Sequence, residues 1–87
     1  MIGTRVYLDD PNTAVDAKPG EYWRDSRGRW MCCIPIGEEG MLGNLSGHEV
    51  VENEDGTITV APSILVTGGS DGLSWHGYLE RGVWREC

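Results

Sequence analysis

The chain has 87 residues, with 14 acidic against 7 basic side chains, a formal net charge of -7, three cysteines and no phenylalanine. That length makes a single domain over residues 1–87 whose core buries roughly 60–65% of the unfolded surface. The acidic balance argues against a nucleic-acid partner, because binding phosphates relies on Lys and Arg, and no apolar run approaches the ~18–20 residues that span a bilayer.

The first residues, Met1 to Asp10, become charged too early for a secretory signal, so a cytoplasmic protein is expected. Gly3 to Leu8 is a short β-prone run with Val6 and Leu8 on one side and Tyr7 on the other. Asp9-Asp10-Pro11-Asn12-Thr13 is a turn signal, and the polar segment up to Gly20 reads as irregular. Glu21 to Arg24 and Arg29 to Ile36 flank Asp25-Ser26-Arg27-Gly28, where Gly28 supplies the positive φ of a tight hairpin. The nearly continuous apolar arm Trp30-Met31-Cys32-Cys33-Ile34 predicts burial on both faces, and Pro35 ends or edges it.

Gly37 to Gly47 is loop by composition, with Met41, Leu42 and Leu45 tucked beneath it. His48 to Asn53 reads as a strand, Asp55-Gly56 as a turn, and Thr57 to Val60 as the return strand with Ile58 and Val60 inward. Pro62 interrupts that ladder, Ser63 to Val66 starts a new segment, and Thr67 to Gly72 is a glycine-rich loop. In the last hairpin Leu73, Trp75 and Leu79 share one face, Ser74, His76, Tyr78 and Glu80 the other, and Arg81-Gly82 turns the chain. The sum is an all-β domain of about six strands with no helix, an antiparallel sheet curled or folded into a sandwich, its two C-terminal hairpins facing each other. Four Trp and three Tyr carry the aromatic volume, and each buried one needs a partner for its polar end.

Adjacent Cys32 and Cys33 point to opposite sides of a strand, which disfavours a disulfide between them. Together with Cys87 and a histidine they lack the Cys-x(2–4)-Cys or His-x(3–5)-His spacing of structural zinc, so no metal is expected. The cluster Glu49, Glu52, Glu54, Asp55 lacks calcium-loop spacing, and Gly68 to Gly72 has neither the Lys nor the following helix of a phosphate loop. No cofactor is called for.

One longer pattern carries more. Asp55-Gly56-Thr57-Ile58-Thr59-Val60-Ala61-Pro62-Ser63-Ile64-Leu65, then Trp75-His76-Gly77-Tyr78-Leu79 and Gly82-Val83-Trp84, resembles the BubE-like family of small domains. These are common in actinobacterial phages, and the family includes a predicted serine peptidase encoded beside bacterial ubiquitin-like conjugation systems. The match covers residues 47–87, with a looser one from Tyr22 to Pro35. Relatives with a Cys-Pro-x-Cys-like cluster have it where this chain has Cys32-Cys33-Ile34-Pro35, and several place a Cys or second His before the motif His, where this chain has Ser74 and Trp75.

The resemblance implies Ser63 as nucleophile and His76 as its base. A serine hydroxyl attacks only once a base within ~2.6–3.2 Å can take its proton, and the loop 68–72 offers backbone donors for an oxyanion. A third residue orients the imidazole in such sites. His48, Asp71 and Glu80 are the candidates; Glu80 is about 13 Å away along an extended strand, and His48 on a neighbouring strand is favoured. The plainer readings stand beside these. Ser63 starts a strand and caps a backbone group, His76 is an edge histidine, and His48 is an ordinary strand residue. The two functional expectations are therefore a phage-type serine hydrolase or peptidase and a non-catalytic accessory protein that binds a host or phage protein through an acidic, aromatic surface. If phage-encoded, it would act in the host cytoplasm. A symmetric homodimer through the edge of the last hairpin stays open.

Overall fold

The computed structural model describes residues 1–7, 17–66 and 74–87. Eight strands form within them: β1 (Thr4–Arg5), β2 (Glu21–Arg24), β3 (Trp30–Ile34), β4 (Met41–Asn44), β5 (Glu49–Glu52), β6 (Ile58–Val66), β7 (Trp75–Glu80) and β8 (Val83–Glu86). They make two four-stranded sheets, ordered β1-β2-β3-β4 and β5-β6-β7-β8. β1 runs parallel to β2, and every other pairing is antiparallel. The all-β architecture is as expected, and the strands number more than the six or so read from the sequence.

The tight turns follow from local chemistry. At the β2–β3 turn the Asp25 carboxylate accepts from the backbone N–H groups of Arg27 and Arg29, at 2.9 and 2.8 Å, and Gly28 sits at φ 79°. Arg81 and Gly82 both have positive φ, 45° and 78°, which fits a two-residue loop between Glu80 and Val83 to the twist of the strands.

The segment 37–47 departs from expectation. Glycine and asparagine have weak strand preference, yet β4 forms there because β3 presents a full ladder that Met41 to Asn44 completes. Strand alternation then turns Leu42 outward, 64% exposed, while Met41 packs on the core and Leu45 is buried. β6 also differs: it runs unbroken through Pro62, where two segments were expected. The two C-terminal hairpins do not face each other; β6 pairs with β7, so all four strands lie side by side in one sheet. Leu73 and the turn at Asp9 to Thr13 lie outside the described residues.

One core serves both sheets. Tyr22, Cys32, Ile34 and Leu45 from the first meet Ile58, Val60, Ile64, Trp75, Leu79 and Trp84 from the second. Trp75 and Trp84 pack edge to face, 5.6 Å between centroids, and the buried Trp84 indole N–H donates to the Gly20 carbonyl at 2.9 Å. The sheets are also stitched along one edge: Gly3 N–H donates to the Gly82 carbonyl at 2.7 Å, Trp84 N–H to the Met1 carbonyl at 2.8 Å, and Ile2 bridges Val83. These bonds occupy the β8 edge at Val83 and Trp84, part of the edge through which a dimer was considered. Arg5 crosses between sheets as well, donating to Glu52 at 3.1 Å and the Gly56 carbonyl at 2.9 Å while its guanidinium lies 4.6 Å from both the Tyr7 and Trp30 ring centroids.

Candidate functional site

Ser63 owes its position to a break in pairing. Val60 pairs with Leu79 and Ile64 with Gly77, so Ala61, Pro62 and Ser63 together stand opposite the single residue Tyr78. Pro62 has no N–H to give a ladder, which makes this the point where β6 bulges away from β7. The Ala61–Pro62 peptide is cis. After the bulge Leu65 pairs with His76, which places Ser63 and His76 diagonally across two strands on the outer face of the sheet.

His76 is positioned by its neighbours. β7 alternates strictly, with Trp75, Gly77 and Leu79 buried and His76, Tyr78 and Glu80 exposed, as the sequence predicts. Trp75 folds its indole over Gly77 so closely that a Cβ there would lie 2.8 Å from Trp75 Cζ2 and would also collide with the Arg85 carbonyl oxygen. The order Trp-His-Gly thus fixes the indole below the sheet and the imidazole above it.

The result is a serine–histidine contact: His76 Nε2 lies 2.9 Å from Ser63 Oγ. In the tautomer protonated on Nδ1, the serine hydroxyl donates to Nε2, the arrangement in which an imidazole takes a serine proton. His48 goes elsewhere. Its Nε2 is 3.3 Å from the backbone carbonyl oxygen of Ser63, and its Nδ1 is buried without a hydrogen-bond partner. His48 therefore does not contact the His76 imidazole through these bonds; it meets the serine through the main chain. Asp71 and the loop 68–72 lie outside the described residues.

Among the described residues the pair lies at the surface. His76 is exposed and Ser63 half-buried. Of the cavities bounded by described residues, one of about 470 Å³ lies by Lys18, Cys33 and Glu39, and one of about 330 Å³ reaches His48 from Arg29 and Trp30. Exposed Leu65 and Tyr78 flank the pair, the Tyr78 ring centroid 6.5 Å from that of His76.

The cysteines do not come together. Cys32 and Cys33 are buried in the first sheet, while Cys87 is exposed beyond β8. Burial, with a smaller contribution from Cys33, pushes the Cys32 thiol up to about 12. Burial and then Glu21 raise Cys33. Both stay protonated and inert at neutral pH. Among the described residues no group of three or more His, Cys, Asp or Glu is arranged to hold a metal ion.

Sequence reasoning weighed Cys87 only as a metal ligand and did not place it beside His76. Its backbone N–H donates to the His76 carbonyl at 2.8 Å, so it stands directly across from His76. The signal was available: counting outward from a two-residue turn at Arg81-Gly82 pairs residue 80 with 83 and therefore 76 with 87. No family model, curated protein or solved structure matches this chain.

Proposed function

We propose that this protein is a small serine hydrolase of the peptidase type, related to the BubE-like family, in which Ser63 attacks and His76 takes its proton. The observation that carries this reading is the 2.9 Å separation of Ser63 Oγ and His76 Nε2. That distance lies within the ~2.6–3.2 Å that proton transfer to a base requires. The bulge at Pro62 supports the same reading by lifting the serine out of the regular ladder. In the proposed reaction the hydroxyl proton moves to Nε2 as Oγ bonds the acyl carbon, and the imidazolium then returns it to the leaving group.

A second reading rests on the same face. Leu65, 62% exposed, and Tyr78, 41% exposed, stand beside the pair and offer apolar surface to a host or phage protein. A binding protein of this kind uses Ser63 and His76 as polar contacts and needs no activated hydroxyl.

Intact-mass labelling with a fluorophosphonate separates the two. The hydrolase reading expects one adduct on the wild type, lost in Ser63→Ala and in His76→Ala. A folded wild-type protein that takes no adduct sinks it and leaves the binding protein.

A further inference from the structure

Ser63, His76 and Cys87 lie side by side across one sheet, on β6, on β7 and just after β8. Ser63 from β6 reaches His76 Nε2 at 2.9 Å, and Cys87, following β8, is hydrogen-bonded to the His76 backbone from the other side. On β8 the buried Trp84 and exposed Arg85 alternate as Leu79 and Tyr78 do opposite them, so Cys87 shares the outer face with His76. Directly opposed residues of an antiparallel pair hold their Cβ atoms about 4.5–5.5 Å apart. At that Cβ spacing a change of the cysteine χ1 rotamer would carry Sγ toward the ring. Ser63 engages Nε2, so Nδ1 is the nitrogen left for Cys87.

We infer that Cys87 is a second nucleophile of this face, served by Nδ1 of the same imidazole that serves Ser63 through Nε2, and that it takes soft carbon electrophiles. A neutral imidazole carries one proton, so it accepts from one partner at a time. With Nδ1 protonated, Nε2 accepts from Ser63. With Nε2 protonated and donating to Ser63 Oγ, Nδ1 accepts the Cys87 thiol proton. In the second state the sulfur bonds the electrophilic carbon, the carbon's bond to its leaving group breaks, the thiol proton rests on Nδ1, and the leaving group departs as an anion. The other two thiols do not compete, because both are buried and their ionisation is suppressed. This inference does not depend on Ser63 attacking any substrate.

Iodoacetamide is the probe, with intact mass following the rate and a peptide map assigning the adduct. The wild type is expected to take one carbamidomethyl group, on Cys87, about fivefold or more faster than His76→Gln at neutral pH. Ser63→Ala, which releases the imidazole from its hydroxyl partner, is expected to react at least as fast as the wild type. Equal rates for the wild type and His76→Gln would overturn the inference, and so would a fall of Ser63→Ala to the His76→Gln rate. Should His76→Gln expose Cys32 or Cys33 to the reagent, its fold is lost and His76→Asn is read by the same comparison. Fluorophosphonate is absent from this experiment, so its outcome is separate from the test of Ser63.

Discussion

The His48 side chain holds the main chain of Ser63: Nε2 stands 3.3 Å from the serine carbonyl oxygen, approaching from the residue just before β5 while His76 meets the hydroxyl from β7. Two terms oppose each other in a His48→Phe variant. The lost hydrogen bond costs about 1 kcal/mol, and removing the unpartnered buried Nδ1 relieves a penalty of about 1–3 kcal/mol. Stability should therefore change little, with Tm within about 8 °C of wild type. Under the hydrolase reading, fluorophosphonate labelling of Ser63 should nonetheless slow, because the serine backbone loses its anchor. Labelling at the wild-type rate would show that His48 has no hold on the reactive hydroxyl.

Gly77→Ala tests the indole that sets β7. The added methyl meets Trp75 Cζ2 and the Arg85 carbonyl, and backbone cannot yield as a flexible side chain can. Overpacking of this kind costs about 1–3 kcal/mol. Urea unfolding should show a midpoint lowered by that amount at an unchanged slope. A midpoint equal to wild type would mean that Trp75 has free space into which to turn.

Stability should fall at high pH. Cys32 is raised from 9.0 to about 12 in the folded chain, and Cys33 and Tyr22 are raised as well, each chiefly by burial. A group whose folded pKa lies above its unfolded value favours folding below the unfolded value and loses that contribution as pH climbs toward the folded one. The unfolded state therefore sheds protons first. For Cys32 alone the slope between its unfolded value of 9.0 and about 12 is roughly 1.4 kcal/mol per pH unit. Cys32→Ala, less stable at every pH through its cavity, should show a shallower alkaline decline by chemical denaturation. A parallel decline would remove Cys32 from the account.

The acid side has the opposite sign. Asp25 is held below the ordinary carboxylate range first by the backbone N–H of Arg29, Glu54 by backbone and Arg81 hydrogen bonds, and Asp55 by the Thr57 hydroxyl and N–H. Their contribution is complete above the unfolded values, 3.8 for the aspartates and 4.5 for the glutamate, and disappears as pH falls through the lower folded ones. Glu54 and Asp55 are exposed and Asp25 is half-buried on a surface turn, so the effect is small and partly screened by salt. Tm should decline below about pH 4, and Asp25→Asn should lessen the decline. A Tm flat down to pH 2 would contradict this.

The elements legible in the sequence were those decided by near neighbours. Asp25 to Gly28, Asp55-Gly56 and Arg81-Gly82 turn where their side chains and φ preferences say they should, and the alternation of β7 places Trp75 and His76 on opposite faces. What escaped was decided at a distance. β4 exists because β3 offers it a ladder, and nothing within Met-Leu-Gly-Asn announces that. Pro62 read as a stop because its missing N–H is a local fact, whereas the bulge that absorbs it depends on Tyr78 across the sheet. Ser63 and His76 were picked out by resemblance, and the 2.9 Å contact between them comes from that same bulge. His48 was expected to steer the imidazole, and the register instead brings it to the Ser63 carbonyl.

The stitching of Gly3 to Gly82 has a kinetic consequence. Each strand of the second sheet pairs with its successor in the chain, so its hairpins close over short spans, while this bond to the first sheet joins residues nearly the whole chain apart. Closing that span carries a larger loop entropy than closing the hairpins and comes after them. Until it does, β8 presents an open edge with Trp84 beside it, and the folding chain is at its most adhesive in that interval. Residues 2–4 act as an internal shield whose late arrival sets how much protein can be refolded at once without precipitating.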